Sequence, residues 1–385
     1  MRAFPDYRDS GAQIVKRFSA DDVYTRHSEG AFARLKDGRI YYAYSRFTGG
    51  HHDDSPSDIA ACVSADEGLT WSEPETVLYA RDFGTNNIMS VSLIRRLDGS
   101  LGLFFGARKE DGIETYLAVS RDEGKTFSEF LSCNLKDRPG YYVLNNDRVI
   151  RLTSGRLLMP LSFHRGNYDS ERKSEIYWES KGIVLFRYSD DDGKTWFESP
   201  DKVFPPFMNT SGGLQETGVI EKENGDLLGY ARTDQQVQYI FYSFDGGLHW
   251  TPAMPSEFTS PNSPLQMKRC PDDGSILAVW NPIPNYNGRK IYRGMHGRTP
   301  IVCARSTDDA LSFSAPLFLA GEEDCGYCYP AVFFTNDGHV LISFCCGTPH
   351  RQECLADSAI YRMEYPPKEE EGKLTDGMRA PFRYQ

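Results

Sequence analysis

The sequence predicts an all-β protein, a six-bladed β-propeller, on three observations. The first is an octet of the form Ser-x-Asp-x-Gly-x-Thr-Trp, present as "SADEGLTW" (64–71), "SRDEGKTF" (120–127), "SDDDGKTW" (189–196) and "SFDGGLHW" (243–250). A degraded fifth copy, "STDDALSF" (306–313), has Ala310 in place of the glycine, and the copies lie 56, 69, 54 and 63 residues apart. Such periods belong to propeller blades and similar arrays. The second is a hairpin that occurs six times: "RLKDGRIYYAY" (34–44), "RRLDGSLGLFFG" (95–106), "RLTSGRLLMPLS" (151–162), "EKENGDLLGYA" (221–231), "RCPDDGSILAVW" (269–280) and "FTNDGHVLISFC" (334–345). The third is the absence of any sustained helical periodicity.

Each repeat has a physical reading. A hairpin turn built on Asp-Gly, Asn-Gly or Ser-Gly between apolar runs joins two antiparallel strands. In the octet, the Asp carboxylate accepts backbone N–H bonds, Gly takes an unusual backbone angle, and Trp or Phe plugs into the stacked sheets. Trp71, Trp196 and Trp250 are therefore expected between sheets, and the octets are structural. Each of the first five hairpins is followed by an octet, which makes a four-stranded unit with the octet after its third strand. Six units close on themselves and leave only short, protected edges. The last hairpin has no octet after it, so "AQIVKRF" (12–18) is expected to complete the final blade. The expected organisation is one domain over 1–385, with blades from about 24 to 365 and a polar tail from about 366 to 385.

Composition narrows the function. With 39% hydrophobic and 13% aromatic residues the chain can bury a large core, and a net charge of -11 argues against nucleic acid or anionic membrane as general partners. A local basic pocket for an anionic small ligand is compatible with that charge. No apolar stretch reaches 18 residues, so no membrane-spanning helix is expected. The start "MRAFPDYRDSGAQIVKRF" has no apolar core of a secretory signal. Nine cysteines without small-scaffold spacing fit packed thiols in a reducing compartment, and a cytoplasmic location is expected. The lone CxxC (Cys325, Cys328) and the vicinal Cys345-Cys346 read as packed thiols, and no cofactor is expected.

The candidate site comes from the strand heads. Eight residues ahead of each hairpin turn stand Glu29, Ser90, Asn146, Glu216, Leu265 and Tyr329. Five of these are polar although apolar residues follow each, which places them at a wet cavity. Tyr329 and Glu216 then face one mouth from blades six and four. A tyrosine of ordinary pKa near 10 is a poor nucleophile at neutral pH unless a base takes its proton, and Glu216 is that base. A neutral nucleophile also suits a substrate that carries a carboxylate at the reacting carbon, where an anionic one would be repelled. The alternative is a buried Tyr–Glu hydrogen bond that only ties two blades together. Arg232, in "YARTD", and Arg298, in "HGRTPIVCARS", have matching places along blades four and five, and arginine grips carboxylates bidentately.

These segments resemble the sialidase family, over roughly residues 24 to 365. The octets resemble its Asp-boxes, also called BNR repeats. "QETGVIEKENG" resembles the segment holding the catalytic Glu, which implies Glu216, and "CYPAVFFTNDG" the segment of the nucleophilic Tyr, which implies Tyr329. "YARTD" and "GRTPIVCARS" resemble segments of its carboxylate-binding arginine triad, which implies Arg232 and Arg298. Sialidases are the tyrosine exception among retaining glycosidases. The first blade departs: in "RHSEGAFARLKDG", Ser28 and Glu29 stand where the family has the first triad arginine, with Arg26 close but out of register. The family's acid Asp lies in a loop after the first hairpin, which implies Asp53 or Asp54 of "TGGHHDDSPSDIAAC", since Asp58 leads a strand and reads as structural. His51 and His52 with these aspartates could ligate a metal, but a solvated polar loop is expected there, and no metal site. Asn87 of "GTNNIMS" and Asn146, Asp147 and Arg148 of "LNNDRV" are candidates for sugar hydroxyls, against a role in loop caps.

The expected function is an exo-acting glycoside hydrolase on a sialic-acid-like or other acidic terminal sugar, with an oligosaccharide or glycoside as partner. Two alternatives stay open. One is an inverting hydrolase or lyase on a neutral or uronic sugar, with Glu29 paired to Glu216 or Asp147. The other is a carbohydrate-binding propeller without chemistry.

Overall fold

The computed structural model describes residues 7–110, 112–135, 140–169, 174–283, 294, 296–322, 324–347 and 353–366. The expected tail lies outside these residues, except for Pro366. Six antiparallel blades follow one another along the chain, as expected. Blade one consists of Arg26–Arg34, Ile40–Phe47, Ser57–Ser64 and Glu75–Leu78. Blade two consists of Ile88–Arg95, Leu101–Lys109, Gly112–Ser120 and Glu129–Ser132. In blade three the inner strand is reduced to Ile150–Arg151, followed by Leu157–His164, Ile183–Ser189 and Phe197–Glu198. The short strand Tyr141–Val143 pairs with both neighbours and joins blades two and three into one sheet. Blade four runs Gln215–Glu221, Leu227–Arg232, Val237–Ser243 and Met254–Thr259; blade five runs Gln266–Arg269, Ile276–Trp280, Ile301–Ser306 and Leu317–Ala320. Among the described residues the only helix with named bounds is a 3-10 turn, Ala80–Phe83.

Blade six takes Tyr327–Phe334, His339–Cys346 and Asp357–Glu364 from the end of the described chain, and its outer strand, Gln13–Phe18, from the beginning. The expected closure by 12–18 is thus in place. It pairs a strand from the beginning of the chain with one from the end, so the ring is closed by hydrogen bonds inside blade six. One buried cluster lies between each pair of neighbouring blades, and the cluster between six and one contains Leu341, Ile360, Phe32 and Tyr42.

The octets bind these interfaces together. In the first, Ser64 Oγ bonds to Asp66 (2.8 Å) and receives the Gly68 N–H (2.9 Å), while both Asp66 oxygens bind Thr70. The turn places Trp71 so that its Nε1 donates to Gly68 O at 3.1 Å. Trp196 and Trp250 repeat that bond. Each aromatic ring reaches the preceding blade: Trp196 meets Phe104 edge-on at 5.9 Å, and Trp250 stacks on Phe186 at 4.0 Å. Trp71 is only half-buried and lies against the blade-six cluster. The degenerate copy keeps the same bonds, with Ala310 held at φ 64° where glycine stands in the others.

Candidate functional site

Five of the six inner strands present a non-glycine residue in the left-handed region at or near the strand head. Glu29, Ser90, Asp147, Glu216 and Tyr329 have φ values of 52, 68, 53, 49 and 55°. Four of them sit in breaks of strand register, at Ser28/Ala31, Met89/Ser92, Gln215/Gly218 and Cys328/Ala331. A bulge of this kind re-aims one side chain out of the alternating pattern. Each such residue costs on the order of 1–3 kcal/mol, so its recurrence around one channel marks the place where the fold carries strain for a purpose. Serines of preceding blades help hold the bulges: Ser90 N donates to Ser45 Oγ at 3.0 Å, and Glu216 N donates to Ser162 Oγ at 2.9 Å.

The strand-head count needs two corrections. In blade three the left-handed residue is Asp147, one position after Asn146, because the inner strand there pairs over only two residues. In blade five Leu265 is a core residue and no head residue is left-handed; Gln266 begins the strand and donates to Asp147 Oδ2 at 2.8 Å.

Tyr329 is buried against three thiols, those of Cys328, Cys345 and Cys354. The Arg298 guanidinium lies 5.7 Å from the centre of its ring. Burial pushes the Tyr329 hydroxyl well above the ordinary tyrosine value and the Glu216 carboxylate adds to this, while Arg298 and Arg232 oppose it. Such a hydroxyl cannot ionise unaided. No direct hydrogen bond joins Tyr329 to Glu216 among the described residues. Glu216 Oε1 instead accepts from Arg232 Nη1 at 2.5 Å, and Oε2 is buried with no partner among the described residues. A charged donor outcompetes a neutral hydroxyl for the first oxygen, and the second remains open for a proton.

Arg232 and Arg298 converge on Asn262, a residue the sequence reading passed over. Arg232 Nε donates to Asn262 Oδ1, and Arg298 Nε and Nη2 donate to the Asn262 carbonyl oxygen at 3.2 and 3.0 Å. The third Arg298 contact is Nη1 to Cys354 Sγ at 3.9 Å. A guanidinium has five N–H donors, so among the described residues Arg298 keeps two without a partner and Arg232 three. Both side chains are largely buried, with Arg298 5% exposed.

Blade one supplies what its sequence concealed. Arg26 is fully buried, with its guanidinium 4.4 Å from the Phe47 ring centre. It donates to Asp53 Oδ1 at 2.6 Å, to His51 O at 3.1 Å and to Ser28 Oγ at 3.0 Å. Its nearest approach to Glu29 is 3.9 Å, from Nη2 to Oε2. The Asp53 side chain is 57% exposed, so what burial there is raises its carboxyl little, and Arg26, Arg108 and Arg298 hold it below the usual range. The opposite holds at Glu29: burial raises its carboxyl well above the usual range, and the opposing pull of Arg26 does not offset it. The bulge at Ser28/Ala31 turns Arg26 and Glu29 toward each other, and no periodicity argument reveals that.

The remaining candidates are supports. Asn87 Nδ2 donates to the carbonyls of Asp53 (3.0 Å) and Ser55 (2.6 Å), which pins the loop that carries Asp53. Asn146 Nδ2 reaches Gly30 O (2.9 Å) and Tyr329 O (3.3 Å), tying blade three to blades one and six behind the tyrosine. Asp147 is occupied by Lys268 at 2.9 Å and by Gln266. Arg148 is the clearest correction: it is fully buried and spends its donors on Tyr230 (3.0 Å), Leu265 O (2.7 Å) and Gln266, so a sugar cannot reach it. Asp54, His51 and His52 are exposed, and among the described residues no group of three or more His, Cys, Asp or Glu side chains is arranged to hold a metal ion. Asp58 accepts from Ala80 N at 2.7 Å and is structural, as expected.

Comparison with known proteins agrees with this fold. The model of the BNR repeat-like domain family matches residues 34–342. An anhydrosialidase from Macrobdella decora is 26% identical over 227 residues, which is 55% of this chain and 27% of that protein. The chain thus matches only about a quarter of that relative's length. Among solved structures, a protein of unknown function from Dyadobacter fermentans DSM 18053 superposes with a TM-score of 0.68 at 18% identity, covering 92% of this chain and 99% of the other. NanB sialidase from Streptococcus pneumoniae gives 0.65 at 14% identity (94% and 71%). The intramolecular trans-sialidase of Ruminococcus gnavus gives 0.65 at 16% identity (93% and 98%).

Proposed function

The chain belongs to the BNR repeat-like domain family, in the sialidase superfamily, and on that premise we propose that it is an exo-acting glycoside hydrolase that removes an acidic, sialic-acid-like terminal sugar with retention of configuration. The observation that carries this reading is the surroundings of Tyr329. It is a buried tyrosine near a carboxylate with one unpartnered oxygen, and two arginines moored to a common asparagine stand beside it.

In this reading Tyr329 Oη attacks the anomeric carbon and passes its proton to Glu216. The raised proton affinity of Tyr329 makes that transfer obligatory, and the open Oε2 of Glu216 is the atom to receive it. The spare N–H groups of Arg298 and Arg232 bind the sugar carboxylate, and because they are buried they do so with little competition from water. Water then attacks the glycosyl-tyrosine, and a second inversion restores the original configuration.

A panel of aryl glycosides with one leaving group and sialyl, uronyl or neutral sugars tests it, with product configuration followed by NMR. Preference for an acidic sugar, released with retention, is the expected result. Release with inversion transfers the chemistry to a carboxylate pair, and binding without turnover identifies a lectin-like propeller.

A further inference from the structure

A glycosidic bond breaks slowly unless its oxygen is protonated as it leaves, so the site needs a group that holds a proton at neutral pH and can release it. Four carboxyls come into question: Glu29, Asp147 and Glu216 at or near inner-strand heads, and Asp53 on the loop of blade one. Glu216 is paired with Arg232 at 2.5 Å, Asp53 with Arg26 at 2.6 Å, and Asp147 with Lys268 at 2.9 Å. Each of these three is a carboxylate fixed by a cation in direct contact. Glu29 differs. No hydrogen bond to its carboxyl occurs among the described residues, its Oε2 is buried without a partner, and the nearest cation, Arg26 Nη2, stands 3.9 Å away. Yet Glu29 occupies the same left-handed bulge as Glu216 and Tyr329, at the head of its own inner strand.

We propose that Glu29 is the proton donor of the site, delivering its carboxyl proton to the glycosidic oxygen as the bond to the leaving group breaks. This rests on the hydrolase reading above and assigns within it a role that the family resemblance implies for Asp53 or Asp54. The step balances. The Tyr329 oxygen bonds to the anomeric carbon, and the Tyr329 proton goes to Glu216. The electron pair of the broken bond goes to the leaving oxygen, which takes the Glu29 proton. In the second half, water gives a proton to the Glu29 carboxylate, and Tyr329 recovers its own from Glu216.

The surroundings of Glu29 suit both states. Burial favours its protonated form, and the charges of Asp53 from its loop, Cys345 from blade six and Glu216 from blade four favour it further; Arg26, on the same strand, is the opposing cation. Once Glu29 has released its proton, Arg26 is close enough to stabilise the new carboxylate. Two carboxyls whose environments push them apart, Asp53 down and Glu29 up, divide into one fixed charge and one acid.

The test compares wild type with Glu29→Gln and Asp53→Asn on aryl glycosides of the preferred sugar, with leaving groups from dinitrophenol, which needs no protonation, to phenol and methanol. Glu29→Gln should leave the dinitrophenyl substrate within about tenfold and slow the poor leaving groups by about 10²–10⁴-fold. The alkaline limb of its kcat/KM profile should vanish. Equal loss on all leaving groups, or leaving-group dependence in Asp53→Asn instead, overturns the assignment. Infrared difference spectra of wild type against Glu29→Gln give a readout without substrate. A carboxylic-acid carbonyl band at pH 7 that disappears in the variant is expected, and its absence overturns the proposal. If wild type cleaves no glycoside, the hydrolase reading fails by itself while the infrared result still decides whether Glu29 holds a proton.

Discussion

Arg298 offers a quantitative test of the acidic-sugar reading. Among the described residues three of its five donors have internal partners and two have none, and two is the number a carboxylate takes in a bidentate grip. The group is 5% exposed and its Nε edge is fixed by a main-chain carbonyl, so little ordering is left to do when a ligand arrives. A hydrogen bond to a charged partner contributes about 1.5–3 kcal/mol, which corresponds to about 10–150-fold in kcat/KM. Arg298→Ala should therefore lose roughly that factor on an acidic aryl glycoside and much less on a neutral one with the same leaving group. Arg298→Lys keeps the charge but not the planar fork, and should fall between wild type and Arg298→Ala. The assay is kcat/KM for both substrates on each variant, with thermal unfolding as the control for packing. Equal losses on acidic and neutral substrates would refute the idea that Arg298 recognises a carboxylate.

Three further outcomes follow from the fold. Trp196→Ala removes a buried indole between blades two and three and should cost about 3–5 kcal/mol in urea unfolding, whereas Trp71→Ala, only half-buried, should cost less. Ala310→Gly relieves a left-handed alanine in the fifth octet and should raise stability by up to about 1 kcal/mol, read as a higher urea midpoint with unchanged slope. His27 is buried, which lowers its pKa from 6.5 to about 4. Its neutral form is the one that fits, so the stability it contributes is complete above pH 6.5. About 3 kcal/mol is lost as pH falls toward 4, a loss that should be absent in His27→Phe.

Most of the architecture was legible because it is written in local chemistry. The octet and the hairpin turn each need particular residues at fixed offsets, and their alternation alone orders six blades and predicts the closing strand Gln13–Phe18. The strand heads stood out for a related reason, a polar residue ahead of an apolar strand, but the expectation of a wet cavity was off: Glu29, Ser90, Asn146 and Tyr329 are buried. The count nevertheless slipped at Asn146, where the inner strand of blade three shrinks to two residues, and at Leu265, where blade five has no left-handed head. The partners of the site were not legible. Arg26 reaches Asp53 through a bulge that changes which side of the strand it faces, and Asn262 joins two arginines from a loop that carries no motif. Arg148 looked like a ligand for sugar because it is charged and near the mouth. Only the three-dimensional packing of Tyr230, Leu265 and Gln266 around it shows that it is fully buried, with both Nη atoms engaged.

The central claim is that Tyr329 takes the glycosyl group. Its most direct test is peptide mass spectrometry after exposure to an activated glycoside of the preferred sugar, with a ring fluorine that slows the second displacement. A glycosyl adduct on Tyr329 is expected, formed more slowly in Glu216→Gln and absent in Tyr329→Phe. An adduct on Glu216 or Glu29, or turnover with inversion and no adduct at all, would contradict it.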